Sequence, residues 1–220
     1  PAVLVDINRI AALSGIKVTK GQVRIGAMTR HVDLERSPDI AKHLPLVAAA
    51  VPHIAHPAIR NRGTIGGSCA LADPAAELPA CALALEATFV IAGKKGERRV
   101  AAEDFFQGLY ATALKSGELI VAIEFPLARS GSASAFGELA RRHGDYAMVG
   151  VAAHRSGDKL RVAFFGVGDR PRVVEGGSVD SVLSKLHTGL EPRGDLHASA
   201  ATRLHLAKVL AARVLKDLAA

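Results

Sequence analysis

The arrangement in this chain best suited to chemistry is a pair of adjacent glycines followed by an acidic residue. Gly66 and Gly67 lie in the sequence TIGGS, which runs on through Asp73 to Glu77 ahead of an apolar helical pattern. Because glycine has no Cβ, its backbone N–H groups can approach a ligand closely and can adopt positive φ values. A close-approach loop followed by a carboxylate suits a ligand that carries both phosphates and sugar hydroxyls. The alternative for a Gly-Gly pair is an ordinary turn.

The other reactive side chains indicate neither a metal nor nucleic acid. Cys69 and Cys81 have no Cys-x-x-Cys spacing or His-rich neighbourhood, so we expect reduced, buried thiols and no metal site. The formal charge of +7 comes from scattered basic residues without aromatic partners, which argues against nucleic-acid binding. Solvated surface or contact with an acidic partner explains these residues better. Four histidines lack the spacing of metal ligands and are interpreted as loop or surface residues: His53, His56, His143 and His154.

The length of 220 residues allows one large domain or two small ones around a substantial core. The sequence contains no run of 18 apolar residues that would suggest a membrane span. The sequence opens at Pro1 without a basic or apolar leader, so we expect no signal peptide, a cytoplasmic location and further residues upstream.

The elements that must position these residues follow from hydrophobic periodicity. Strands are predicted at residues 23–27, 87–92, 97–101 and 119–125, and helices at 44–51 and 77–85. Residues 128–135 form a break rich in Ser and Ala, which is the expected domain boundary. Three strand-like segments follow at residues 136–142, 148–154 and 160–167, and then helices at 179–187 and 202–218. The sequence therefore predicts an α+β fold that ends in a small α+β domain with a three-stranded antiparallel sheet and helices on one face.

The glycine motif is part of a longer pattern that is specific to one family. The chain resembles the FAD-binding medium subunit of molybdenum hydroxylases, of the carbon monoxide dehydrogenase and xanthine dehydrogenase type. The residues that carry the resemblance span nearly the whole chain: VDIN at 5–8, VRIGAMTRH at 23–31, IAHPAIRNRGTIGGSC at 54–69, DPAAELP at 73–79, FFQG at 105–108, GELIV at 117–121, RHGDYAMV at 142–149 and FGVGDRP at 165–171.

The resemblance implies a fold and a domain plan. Residues 1–22 would be the remnant of an N-terminal FAD-binding subdomain and linker. Residues 23–130 would form a central FAD-binding domain of the PCMH type, which is similar to vanillyl-alcohol oxidase. Residues 131–220 would form the C-terminal domain. The family's first flavin motif, an Ala-Gly-Gly-x-Ser-Leu turn before the VDI strand, does not occur in this sequence, so only one of the two expected clamps on the cofactor is seen.

The resemblance also implies which residues contact FAD. The backbone of the TIGGS segment would face the phosphates and the flavin, Glu77 would bind ribityl or ribose hydroxyls, and Asp73 would support that loop or contact FAD less directly. Tyr146 would cover one face of the isoalloxazine, although by itself it could be a half-buried strand residue. The expected cofactor-binding residues are Thr64, Ile65, Gly66, Gly67, Ser68, Asp73, Glu77, Leu119, Ile120 and Tyr146, with Leu119 and Ile120 near the flavin or adenine.

The function that the resemblance implies is electron transfer, with no catalytic side chain in this subunit. Electrons would come from [2Fe–2S] clusters in a small partner subunit and pass to a terminal acceptor, while a large partner subunit would hold molybdopterin. A dimer of such heterotrimers is expected. The alternative is a truncated, flavin-free scaffold that only docks partners. One departure from the family is Glu138, which stands where several members carry Lys and would reverse the charge near the flavin.

Overall fold

The computed structural model describes residues 2–218. The strands are β1 (Ile16–Thr19), β2 (Gln22–Gly26), β3 (Thr88–Gly93), β4 (Gly96–Ala101), β5 (Phe106–Gly108), β6 (Ala111–Thr112), β7 (Leu119–Pro126), β8 (Ala133–Leu139), β9 (Val149–Ser156), β10 (Lys159–Phe165) and β11 (Arg172–Gly176). The helices are α1 (His31–Arg36), α2 (Pro38–His43), α3 (Pro45–Ala50), α4 (Pro57–Arg60), α5 (Ile65–Leu71), α6 (Glu77–Ala84), α7 (Ala102–Phe105), α8 (Val179–Ser184), α9 (Leu186–Gly189) and α10 (Ala200–Val214). Short 3₁₀ turns cover Ala11–Leu13, Val51–His53 and Leu215–Leu218.

Proline divides the segment before the glycine pair into short helices. Pro38, Pro45 and Pro57 each stand in the first turn of a helix, at the start of α2, α3 and α4. The fixed φ of proline suits that position, and its missing N–H would have no partner within the helix there. The chain therefore changes direction several times before it enters α5, and the last part of this segment, residues 54–63, lines the site described below.

The first sheet is antiparallel throughout and has the order β1-β2-β7-β3-β4. Strand β7 lies at its centre, where Ile123 stands opposite Ile25 of β2 and Phe89 of β3. A bulge interrupts the β3–β7 pairing between Val90 and Ile91. On the inner side, Phe89 stacks on Phe105 with ring centroids 3.9 Å apart.

Helix α6 is buried along its whole length, from Glu77 to Ala84. It packs against β9 and β10 of the second sheet and against α3 and α5. A single hydrophobic core joins Phe89 and Phe125 of the first sheet to Ala152 and Phe165 of the second. The carboxylate at the start of α6 is therefore fixed by packing from both halves of the chain.

The second sheet confirms the α+β class but has four strands where the sequence predicted three. Its order is β11-β10-β9-β8, again antiparallel. The additional strand β11 has only two valines among charged residues and ends at Gly176, so its alternation is too short to stand out in the sequence. Helices α8 and α10 pack on one face of the sheet around a second core that includes Val162 and Ala211.

The two sheets are joined by residues 127–132, which is where the sequence places the boundary. The division into domains at 1–22, 23–130 and 131–220 stays a prediction, because the core that both sheets share does not by itself define independent units. Within residues 2–218 the helices are too short or too polar to cross a bilayer.

Candidate functional site

The TIGGS segment forms the start of a helix, whereas the sequence suggested a loop. Thr64 is the N-cap of α5, and its Oγ1 accepts a hydrogen bond from the Gly67 N–H at 3.1 Å. Thr64 also forms an isolated antiparallel bridge with Arg30, which joins the start of α5 to the start of α1. The capping threonine explains why this segment is helical, because its side chain accepts a hydrogen bond from a helix N–H that would otherwise have no partner.

The first backbone N–H groups of α5 already have acceptors within the protein. The Ile65 N–H donates to the Thr29 carbonyl at 3.1 Å, and the Gly66 N–H donates to the Ala27 carbonyl at 2.8 Å. Together with the bond from Gly67 to Thr64, these contacts occupy three successive donors. An anion cradle made of those N–H groups, as the sequence suggested, is therefore not available at Ile65 and Gly66.

The two glycines face different surroundings. A Cβ on Gly66 would lie 2.5 Å from the Ala27 Cβ and 2.6 Å from the Ala27 carbonyl oxygen, so Gly66 is required for packing between α5 and the end of β2. A Cβ on Gly67 would approach Thr64 Oγ1 at 2.8 Å and, among the described residues, would otherwise enter open space. Gly67 therefore belongs to the surface that a ligand can contact, while Gly66 and the buried Ile65 hold that surface in place.

A cavity of about 630 Å³ opens beside the start of α5. This size is within the range of pockets that hold small molecules and cofactors. We call it the cofactor cavity. Its wall combines α1, the segment 54–64, α5, the start of α6 and the loop before β9. The sequence-predicted residues that line it are Thr64, Gly67, Ser68, Asp73, Glu77 and Tyr146.

One part of this wall is acidic and aromatic. Asp73 Oδ1 accepts a hydrogen bond from the Ala75 N–H at 2.9 Å, which fixes the turn before α6. Asp73 Oδ2 accepts a bond from the Tyr110 hydroxyl at 3.3 Å. Tyr146 is 65% exposed, and the part of it that is shielded from water, together with the nearby carboxyl groups of Asp73 and Glu77, raises its pKa. An exposed ring flanked by two carboxyl groups can stack on a flat ligand whose hydroxyls those groups bind.

Glu77 and Glu138 are buried carboxyl groups close to one another. Burial, with a smaller effect of Asp73, raises the pKa of Glu77 to about 7. The Glu138 side chain is 4% exposed, and burial together with the charge of Glu77 raises its pKa to about 8. Glu138 Oε1 lies 3.4 Å from His53 Nδ1, while Oε2 has no hydrogen-bond partner among the described residues. At neutral pH Glu138 is mostly uncharged.

The protonation state of Glu138 bears on the charge expected at this position from the sequence. The sequence suggested that a glutamate in place of lysine reverses the charge near the flavin. Because the Glu138 carboxyl is mostly protonated at neutral pH, it does not place a full negative charge at this position.

Another part of the cavity wall is basic. Its positive charges come from Arg30 and Arg62, and the buried His31 lies beside them. The Arg30 guanidinium donates to the Arg62 carbonyl and to Asn8 Oδ1, so it ties this part of the wall to the segment before β1. His31 is buried, and its backbone N–H donates to the Gly63 carbonyl at 3.0 Å. A wall that is basic in one part and acidic in another suits a ligand with phosphates at one position and hydroxyls at another.

A second cavity of about 780 Å³ lies next to the first. The two share Asp73, Gly144, Asp145 and Tyr146 in their walls. Tyr110, at the tip of the β5–β6 hairpin, lines the second cavity and is 57% exposed. The exposed Tyr146 ring therefore stands between two open spaces.

The structure does not bring every predicted residue to the cofactor cavity. Leu119 begins β7 opposite Ala92 and is 40% exposed, and Ile120 is buried opposite Ile91. Neither lines the cofactor cavity, so their contact with FAD stays a prediction. Within residues 2–218, no group of three or more His, Cys, Asp and Glu side chains could hold a metal ion. The prediction that Cys69 and Cys81 are buried thiols is confirmed.

Sequence reasoning missed Tyr110 and His31 in this region and did not foresee the burial of Glu138. Tyr110 was hidden because β5 and β6 are too short to be recognised in the sequence. In the structure its φ is 52°, a conformation that a bulky residue rarely adopts. His31 closes the VRIGAMTRH motif and could have been found there. Glu138 was noticed only as a departure from the family, since nothing in the sequence reveals its burial beside Glu77.

Comparison with known proteins establishes the class to which this fold and site belong. Residues 1–128 match the model of the FAD binding domain in molybdopterin dehydrogenase. The solved structure of carbon monoxide dehydrogenase from Hydrogenophaga pseudoflava superposes with a TM-score of 0.89 at 35% identity, covering 96% of this chain and 79% of that chain. The resemblance drawn from the sequence is confirmed, and the chain belongs to this family of FAD-binding oxidoreductase subunits.

Individual relatives agree with this assignment. The alpha subunit of the 6-hydroxypseudooxynicotine dehydrogenase complex of Paenarthrobacter nicotinovorans is 39% identical over 98% of this chain and 79% of its own length. The medium chain of carbon monoxide dehydrogenase of Hydrogenophaga pseudoflava is 42% identical over 80% of this chain and 63% of its own length. The chain therefore spans between about three fifths and four fifths of these relatives.

The residues present fit FAD, the cofactor that defines the family. The cavity has room for a large ligand, and Gly67 leaves open space at its wall. The buried His31 ring has two nitrogens without a partner among the described residues, as expected where a polar ligand completes the site. Asp73 and Glu77 supply acceptors for hydroxyl groups, and Tyr146 supplies an exposed ring.

Proposed function

We propose that this chain is the FAD-binding electron-transfer subunit of a molybdenum hydroxylase. In this proposal it takes electrons from the [2Fe–2S] clusters of a small partner subunit and passes them to a terminal acceptor. The observation that carries the proposal is the cofactor cavity, whose basic and acidic parts match the phosphates and hydroxyls of FAD and whose exposed Tyr146 ring borders a second open space.

The charges of the wall suggest how FAD lies in the cavity. The phosphates belong beside Arg30 and Arg62, close to the open surface left by the missing Cβ of Gly67. Hydroxyls of the ribityl or ribose groups belong beside Asp73 and Glu77. Because a pKa of about 7 leaves the Glu77 carboxyl partly protonated, it can donate as well as accept a hydrogen bond from these hydroxyls.

The flavin ring belongs beside Tyr146, whose phenol stands between the two cavities. FAD supplies the redox chemistry when bound, and the side chains of this subunit bind it, orient it and set its surroundings. Thr64 and Ser68 complete the proposed contacts. Ile65 and Gly66 support these contacts by packing beneath them, since the Gly66 N–H is already bonded to the Ala27 carbonyl.

The proposed partners are a large subunit with molybdopterin and a small subunit with [2Fe–2S] clusters, assembled as a dimer of heterotrimers. The support is that the relatives carry names such as medium chain and complex subunit alpha. In this arrangement the substrate is selected by the large subunit, so the identity of the substrate is a property of that partner and not of the residues described above.

Absorbance of the protein purified with its partners tests the proposal. We expect a flavin band near ~450 nm and release of one FAD per chain on denaturation. A colourless protein that also fails to take up added FAD would refute the proposal and favour the flavin-free scaffold. The electron-transfer step is tested by adding substrate without oxygen, where bleaching of the flavin band must follow bleaching of the clusters. A flavin that stays oxidised while the clusters are reduced would refute the proposed route.

A further inference from the structure

His31 is a buried polar side chain whose hydrogen-bonding capacity the protein does not use. The residue is 5% exposed and lines the cofactor cavity. Neither Nδ1 nor Nε2 has a hydrogen-bond partner among the described residues. A buried polar group without a partner is costly, and most such groups in native proteins are satisfied by protein, water or ligand. The ring is therefore a candidate contact for the ligand of this cavity.

The position of the ring is fixed by its neighbours. A Cβ on Gly63 would lie 2.9 Å from both Nδ1 and Cε1 of His31, so the ring packs directly on that glycine. The His31 N–H is bonded to the Gly63 carbonyl at 3.0 Å, which anchors the backbone as well. Because backbone and ring are both held, the imidazole is preorganised toward the cavity before any ligand arrives.

The imidazole is neutral at physiological pH. Burial is the main cause that lowers the pKa of His31, and the nearby positive charges of Arg60 and Arg30 lower it further. The Thr64 backbone carbonyl favours the protonated form from nearby, but it lies outside hydrogen-bonding geometry with either ring nitrogen and is outweighed. A neutral imidazole offers one N–H donor and one acceptor nitrogen. It can therefore donate a hydrogen bond to an anionic oxygen without adding a buried charge.

We propose that His31 is a further cofactor-contacting residue, which donates a hydrogen bond from its ring to a phosphate oxygen of FAD in the basic part of the cavity. The inference rests on the proposed function of this cavity as the FAD site. The Arg30 guanidinium already donates hydrogen bonds to Asn8 and to the Arg62 carbonyl. The neighbouring His31 ring is buried, and its nitrogens have no hydrogen-bond partner among the described residues. The phosphate is the part of FAD that suits a wall formed by two arginines.

The first test compares FAD affinity of His31 variants in the reconstituted complex. His31→Phe keeps the ring volume and removes both nitrogens, and His31→Gln keeps a donor. Hydrogen bonds to charged groups correspond to roughly 10- to 100-fold in affinity, so we expect a loss of that size for His31→Phe and a smaller one for His31→Gln. The control is His154→Gln, since His154 is bonded to Ser134 at 2.9 Å and lies outside the cofactor cavity.

The second test uses riboflavin, which has the flavin ring and ribityl chain but no phosphate. His31→Phe should weaken binding of FAD and leave binding of riboflavin unchanged. Equal weakening of both would refute the phosphate contact, and unchanged FAD affinity in His31→Phe would refute any contact. If the unsubstituted protein binds no FAD, the proposed function itself fails, so the two failures are distinguishable.

A third measurement observes His31 in the unsubstituted protein and uses a variant only to assign its signals. In the unsubstituted protein labelled with ¹⁵N, the ring nitrogens of His31 should shift when FAD is added, and His31→Gln identifies their signals by removing them. Absence of any shift at His31 on saturation with FAD would overturn the inference.

Discussion

Replacing Glu138 with glutamine should stabilise the protein at alkaline pH and leave its stability at acid pH nearly unchanged. The carboxyl is buried beside Glu77, and these surroundings raise its pKa from 4.5 to about 8. Below about pH 4.5 the group is protonated in both the folded and the unfolded chain. As the pH rises toward 8 the unfolded chain gives up its proton first, so the free energy of unfolding falls. Glutamine has the shape of the neutral acid and cannot ionise, so this loss should disappear.

The size of the effect follows from the pKa and the contacts. One pKa unit corresponds to about 1.4 kcal/mol, so a pKa raised from 4.5 to about 8 sets an upper limit of roughly 5 kcal/mol on the stability lost. His53 Nδ1, 3.4 Å from Oε1, offers the ionised group a partner, and local relaxation reduces the cost further. We therefore expect Glu138→Gln to gain about 2 kcal/mol over the original protein at pH 8.5.

Urea denaturation at pH 5.5, 7.0 and 8.5, at a fixed FAD concentration, measures this difference. The matched control is Glu118→Gln. Hydrogen bonds from Arg98 and from the Lys115 N–H lower the pKa of Glu118 to about 2, so the stability it contributes is lost only as the pH falls toward that value. Glu118→Gln should therefore destabilise by the same amount at all three pH values. A Glu138→Gln gain that is equal at pH 5.5 and 8.5, or that reverses sign, would refute the reasoning.

Three further predictions concern the cofactor cavity. Gly66→Ala should cost about 1–3 kcal/mol of stability, because the added methyl group collides with Ala27. Gly67→Ala should cost about 1 kcal/mol or less, through its contact with the N-cap residue Thr64, yet should lower the ratio of FAD to protein. Equal effects of the two substitutions on urea denaturation and on flavin content would contradict this difference. Tyr146→Ala should move the flavin reduction potential, followed by spectroelectrochemistry, more than the melting temperature, and an unchanged potential would count against stacking. Tyr110→Phe removes the bond to Asp73 and should change stability by less than about 0.5 kcal/mol; a large loss on thermal melting would show that the hairpin depends on it.

Much of the architecture could be predicted from periodicity and a few motifs. The central strand β7, the buried helix α6 and the long helix α10 carry strong apolar patterns, and the structure has all three. Strand β11 was missed because the run from Arg172 to Gly176 is short and rich in charge, and it becomes a strand by pairing with β10. Such pairing is a tertiary effect that local sequence does not encode.

The candidate site was predictable in composition but not in detail. Asp73, Glu77 and Tyr146 are far apart in sequence and line one cavity, as the family pattern implied. Burial was the missing information, because it raises the pKa of Glu138 and leaves His31 without partners. Both properties depend on which elements pack over a side chain, and a sequence shows only the type of that side chain.

The glycine pair shows that two adjacent residues of one motif can have different surroundings in the fold. Successive residues of a helix point about 100° apart, so Gly66 and Gly67 cannot serve the same surface. Gly66 faces Ala27 and is required by the interior, while Gly67 faces the cavity and is the position that a ligand constrains. A sequence presents both simply as residues without a Cβ. The pair therefore joins two separate features, close packing of Gly66 on Ala27 and an open surface at Gly67, and only the second concerns the proposed contact with FAD.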